Sequence, residues 1–158
     1  MSKAKLVAEL NSEHRAILEL VQGFGRADFD QPGANGDWTA KDVFGHLAFW
    51  NGEAARAIMM ALQGERPTAW LDAAVDSVNQ HETETRRARP LHKVMEEFRR
   101  SHRELVALLE RTPENRLEVA SDHKAPDGAS ANAAWIGSDA AGHYRLHREA
   151  LQTWLSRS

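Results

Sequence analysis

Two histidines four residues apart, His143 and His147, carry the strongest chemical signal in the 158-residue chain. On an α-helix this spacing stacks two side chains on one face, one turn apart. The face continues through Ala150, Leu151 and Trp154, so both imidazoles fall on a stripe that should meet a core. His46 repeats the arrangement on another stripe, three residues after Val43 and four before Trp50. One histidine plus a His-x-x-x-His pair gives three nitrogen donors and leaves coordination positions for water or substrate. That is the pattern of catalytic zinc; structural zinc is closed by four ligands. Nitrogen donors suit Zn²⁺ or Ni²⁺ first, and also Fe²⁺ or Mn²⁺. A divalent ion held this way lowers the pKa of its water and turns it into a nucleophile or base. Two competing readings stand beside this one. Each histidine is a satisfied core residue, or the three imidazoles are hydrogen-bonded to one another or to water.

Five further residues are candidates for lining such a pocket: Asn79, Trp50, Tyr144, His14 and His102. An amide facing inward must find partners, which singles out Asn79. His14 and His102 border apolar stripes, and Tyr144 adjoins His143. Asp42 and Asp139 each precede a candidate ligand by four residues. A carboxylate there can orient an imidazole through its second N–H. Both are also expected in first helical turns, where acids cap and complement the dipole.

These side chains need helices to carry them. Apolar positions recur at three- and four-residue steps from Lys3 to about Phe24, and a loop rich in Gly, Pro, Asn and Asp follows to Asp37. Thr39 with Asp42 reads as a capping box opening a second helix that runs to Gly64. A weaker, more polar helix spans Trp70 to Arg89 and is ended by Pro90. The pattern is strong again from Leu91 to Leu109. Thr112 to Ala133 reads as a long irregular connection, and Ser138 as the cap of a last helix ending near Ser156. Four helices of about 20 residues, about 30 Å each, predict an all-α antiparallel four-helix bundle in one domain over 1–158, with an extra short helix before the third bundle helix.

Bulk composition narrows the function. Hydrophobic residues make up 42%, and the formal net charge is -3. That charge speaks against nucleic-acid binding, and Arg86, Arg87 and Arg89 read as a solvated face. With no cysteine, any metal must be held by His, Asp, Glu or water. No signal peptide or membrane-spanning run is visible, and a cytoplasmic location is expected.

Two stretches resemble the DinB-like four-helix-bundle superfamily: Trp38-Thr39-Ala40-Lys41-Asp42-Val43-Phe44-Gly45-His46, continuing to Trp50, and Trp135 to His147, followed by Trp154. The tryptophan content and Asp76-x-x-Asn79 are most similar to the ClbS/DfsB-like branch. The resemblance implies an up-up-down-down bundle with one long crossover, a homodimer, and a divalent metal on His46, His143 and His147. It also implies thiol-dependent or self-protective chemistry on small reactive molecules. The expected function is a metal-dependent enzyme, of hydrolase or thiol-dependent transferase type. Its partners would be a small-molecule substrate and a low-molecular-weight thiol, with no nucleic acid and no membrane. The alternative is a non-catalytic bundle for small-molecule binding, self-protection or dimerisation, with a vestigial metal site.

Overall fold

Thr39 opens the helix around which the others pack. Its hydroxyl accepts from the Asp42 amide, and the Asp42 carboxylate accepts from the Thr39 amide. This closed box fixes where the helix starts. In the computed structural model, which describes residues 1–157, ten short and long elements follow one another. They are α1 (Lys3–Leu20), α2 (Arg26–Phe29), β1 (Pro32–Asn35), β2 (Trp38–Thr39), α3 (Ala40–Leu62), α4 (Thr68–Leu71), α5 (Val75–Arg87), α6 (Leu91–Arg111), α7 (Glu114–Leu117) and α8 (Ala133–Ser156). The fold is an all-α bundle of α1, α3, α6 and α8, with a two-stranded antiparallel hairpin as its only sheet among the described residues. No helix is long and apolar enough to cross a membrane.

Cross-helix pairs give the helix directions. Lys3 reaches the Glu110 and Thr112 carbonyls while Asn11 meets His102, so α1 and α6 run antiparallel. Gly137 lies against Leu6, and Arg148 pairs with Glu13, so α1 and α8 run together. Phe44 packs on Phe98 and Asn51 bonds Ser101, so α3 and α6 also run together. The up-up-down-down order therefore holds around the bundle, as α1, α8, α3, α6. Along the chain it becomes up-down-down-up. The physical cause is the connection carrying α4 and α5, which returns the chain to the starting end of α3 before α6 begins.

Several boundaries differ from the sequence reading. The last helix starts at Ala133, capped by Asn132, whose side chain accepts from the Trp135 amide. Ser138 lies inside it. Gly137, which suggested a boundary, is used for close packing: a Cβ there would sit 3.0 Å from Leu6 Cδ2. The polar segment from Trp70 is two pieces, because Asp72 leaves the helix and takes a two-pronged bond from Arg66 at 2.8 and 2.7 Å. The loop after α1 folds into α2 and the hairpin. Gly33, at φ +112°, lets that hairpin lie under Trp154, whose Nε1 is 3.0 Å from where a Cβ would stand. Arg86 is buried, not solvated: it pairs with Glu82 and with Glu97 (2.6 Å), beneath Gly45 of α3.

The core is one continuous cluster in which Phe44, Leu47, Ile58, Phe98, Leu105, Ile136 and Tyr144 are fully buried. Gly45 seats α3 against Arg86 and Val94, and Gly137 seats α8 against Leu6 and Leu109, which sets the two helices that carry the histidines.

Candidate metal centre

α3 presents His46 and α8 presents His143 and His147 at the contact between the two helices. Val43, Leu47 and Trp50 bury the α3 stripe, so His46 has nowhere to point but toward α8. The three rings meet through one nitrogen each. His46 Nε2 lies 2.9 Å from His143 Nε2, and His147 Nε2 lies 3.1 Å from the same atom. Ring centroids are 4.8 Å apart in all three pairs.

Burial first, and then the neighbouring imidazoles, keep these rings uncharged. The pKa of His46 is lowered to about 2, with His143, His147 and Arg86 adding to the desolvation. That of His143 falls to about 3 and that of His147 to about 4, both chiefly by burial. A neutral imidazole carries one N–H. His143 Nε2 can therefore complete one good hydrogen bond, yet it faces two nitrogens. Lone pairs in this arrangement are served by a cation. Two of the three nitrogen pairs, at 2.9 and 3.1 Å, stand at about the separation that two ligands of one small divalent ion take. The donor set, three neutral nitrogens within 4.8 Å of one another, fits a divalent ion.

The cluster forms one wall of a cavity of about 700 Å³. Trp38, Trp50 and Trp70 form much of the rest. Trp38 packs on His46 at 4.9 Å, and Trp50 meets Trp70 edge to face at 5.8 Å. Two polar groups hold these indoles: Asn79 Oδ1 accepts from Trp50 Nε1 at 2.7 Å, and Asp139 accepts from Trp70 Nε1 at 2.7 Å. Trp50 and Asn79 thus line this cavity.

Tyr144, His14 and His102 lie elsewhere. Tyr144 is rotated away from the ligand face and buried behind it. Asn11 Oδ1 accepts from His102 Nε2 at 2.9 Å, which leaves His102 Nδ1 to accept from the Tyr144 hydroxyl at 3.0 Å. Burial raises the phenol pKa and keeps that proton on oxygen. His14 stacks on His102 at 3.7 Å, on the side facing α1. These three therefore buttress α8; none of them touches the cavity.

Neither acid adjoining a ligand in sequence bonds an imidazole. Asp42 serves the cap and Arg87, and Asp139 holds Trp70. The roles of Trp70 and Asp139 were hidden in the sequence because α4 and α8 meet only in three dimensions. The spacing of indole and carboxylate along the chain carries no signal of it.

Residues 10–144 match the family described as the mycothiol maleylpyruvate isomerase N-terminal domain. No curated protein matches the chain. Among solved structures, the mycothiol-dependent maleylpyruvate isomerase superposes with a TM-score of 0.78 at 12% identity, and a histidine-to-alanine mutant of a mycothiol-dependent maleylpyruvate isomerase with 0.77 at 11%. Both alignments cover 96% of this chain but 61% of the other, so the likeness is one of fold over part of a longer protein. With the profile spanning most of its length, the chain belongs to the mycothiol maleylpyruvate isomerase N-terminal domain family, within the DinB-like bundles.

Proposed function

We propose that this protein is a divalent-metal-dependent enzyme acting on a small reactive molecule, with a low-molecular-weight thiol as co-substrate. The observation that carries this reading is the convergence of three uncharged imidazole nitrogens on an aromatic-walled cavity. The family supports the thiol: its name and both similar structures are those of a mycothiol-dependent isomerase. The chain has no cysteine of its own, so any thiol must come from outside.

His46, His143 and His147 would hold the ion, which supplies Lewis acidity to a thiol, water or carbonyl at its open positions. The indoles of Trp38, Trp50 and Trp70 exclude water and stack on a planar or apolar substrate. The cavity lining holds no lysine or arginine, which favours a neutral electrophile over a multiply charged one. Asp139 is the one titratable group lining the cavity besides the three histidines. It sits exposed at the mouth and is placed to accept or return a proton. The reading carries a homodimer and a single domain as further expectations, the first checked by sedimentation of the purified protein and the second by one cooperative unfolding transition.

Elemental analysis after loading with Zn²⁺ or Ni²⁺, followed by a panel of thiols with electrophiles, tests this. About one ion per chain is expected for the wild type and less than about a tenth of that for His143→Ala. Helical circular dichroism should be unchanged in the variant. Failure to retain either ion overturns the metal reading. Metal without thiol-dependent turnover favours the binding-protein alternative, and turnover with water alone assigns a hydrolase.

A further inference from the structure

A second cavity, of about 810 Å³, lies between α1 and α6 and shares no lining residue with the three-histidine cavity. Its floor is apolar: Leu18, Val21, Phe29, Leu91 and Met95. Its rim is cationic, with the guanidiniums of Arg15, Arg26 and Arg99 facing one carboxylate, Glu19. In a chain of formal net charge -3, three arginines at one groove are not a matter of overall composition.

Eight of the fifteen arginines, Arg56, Arg66, Arg86, Arg87, Arg89, Arg100, Arg145 and Arg148, are committed to ion pairs. Among the described residues, the three at the groove, like Arg103, Arg111, Arg116 and Arg157, are not. The groove also holds His14, whose Nε2 is buried and has no hydrogen-bond partner in the chain. The field at this point is positive: burial first, then Arg99 and Arg103, hold the His14 pKa down at about 4. Its ring stacks on His102 and Phe98, at 3.7 and 4.8 Å.

We infer that the α1–α6 groove is a binding site for a small amphiphilic organic anion, its apolar body on the Leu18–Phe29–Met95 floor and its carboxylate among Arg15, Arg26 and Arg99. Charge complementarity selects the head group, and the floor selects the body. A phosphate or sulfate alone would leave the floor uncovered, and a neutral hydrocarbon would leave the guanidiniums unpaired. The groove is structurally independent of metal, since no ligand histidine lines it.

Octanoate and octanol make a matched pair of probes, because they differ in the head group and not in the body. Isothermal titration of the full chain should give one octanoate site, with octanol bound at least about tenfold more weakly, the equivalent of losing one charge-assisted hydrogen bond. Arg99→Gln and Arg15→Gln should each weaken octanoate by about tenfold, with metal stoichiometry unchanged. The His143→Ala/His147→Ala variant should bind octanoate as the wild type does. Backbone amide shifts should map to α1 and α6.

Equal affinity for octanol and octanoate, or no effect of the arginine variants, overturns the proposal. So does loss of octanoate binding in the double-histidine variant with its fold intact, which would place the carboxylate at the other cavity. If Arg99→Gln changes the sedimentation coefficient and leaves octanoate affinity alone, the groove is an interface between two copies and the anion site is rejected. None of these outcomes depends on whether the metal centre is catalytic.

Discussion

At the residue scale, the difference between a ligand and a core histidine lies in what the second partner is. His102 has two good partners, Asn11 Oδ1 and the Tyr144 hydroxyl, and is complete as it stands. His143 Nε2 faces two other imidazole nitrogens and cannot satisfy both. Replacing Tyr144 by Phe removes the donor and leaves His102 Nδ1 buried without a bond. A loss of about 1–3 kcal/mol in urea unfolding is expected. Metal stoichiometry should survive, because the three ligands remain. Asn79→Ala should act differently: it strands the Trp50 indole N–H, which is part-buried. About 1 kcal/mol of stability is expected to go, together with weaker quenching of tryptophan fluorescence by a bound substrate, since the indole is no longer fixed.

Elements hold these residues by close approach, which Gly45 in α3 and Gly137 in α8 allow. Alanine is favoured over glycine inside a helix by about 1 kcal/mol, so Gly45→Ala in α3 would ordinarily stabilise. Here the new methyl would stand 2.8 Å from Arg86 Cδ, and Arg86 is held by Glu82 and Glu97. The clash prevails over propensity. We expect a net loss of about 1–3 kcal/mol, read as a lower denaturation midpoint at unchanged slope. Displacing Arg86 would also disturb a charge pair that ties α5 to α6 under α3. By contrast, Gly52 meets nothing within 4 Å, and Gly52→Ala should be neutral or mildly stabilising.

For the whole molecule, five histidines with lowered pKa values set the acid limit of the fold. His14, His46, His102, His143 and His147 are all held neutral by burial first. The unfolded chain binds a proton at each near pH 6.5. The native state does so only near pH 4 for His14 and near pH 3 for His102. Between those limits the unfolded state binds more protons, so stability is intact above about pH 6.5 and is lost as pH falls toward the folded values. The melting temperature of the metal-free protein should therefore drop steeply from about pH 7 to pH 5. His14→Phe keeps the stack on Phe98 and removes one titrating group. It should shallow the slope by up to about 1 kcal/mol per pH unit. Added Zn²⁺ or Ni²⁺ should raise the melting temperature near neutral pH, by an amount that grows with free metal. His46→Ala should abolish that rise.

Much of this was legible in the chain. The 3.6-residue periodicity and the Thr39–Asp42 capping box gave α3 and α6 to within about two residues, whereas α1, read to about Phe24, ends at Leu20. The same periodicity put His46, His143 and His147 on inward faces, because a stripe bordered by Val43, Leu47 and Trp50, or by Leu151, has only one side to bury. Helical periodicity says which face is inward but not how far around it a side chain turns, nor which helix it will meet. That is why Tyr144, His14 and His102, read as lining one pocket, belong to a buttress and a second groove. It is also why Gly137 read as a break when it is a contact with Leu6. Composition likewise could not separate Arg86, buried between two glutamates, from Arg15, Arg26 and Arg99, which face a groove without partners. The sequence by itself determined the helices and the inward histidines, since both rest on local spacing. Only the tertiary structure decided that three imidazole nitrogens meet within bonding distance, because that depends on how closely α3 and α8 pack and in which direction each one runs.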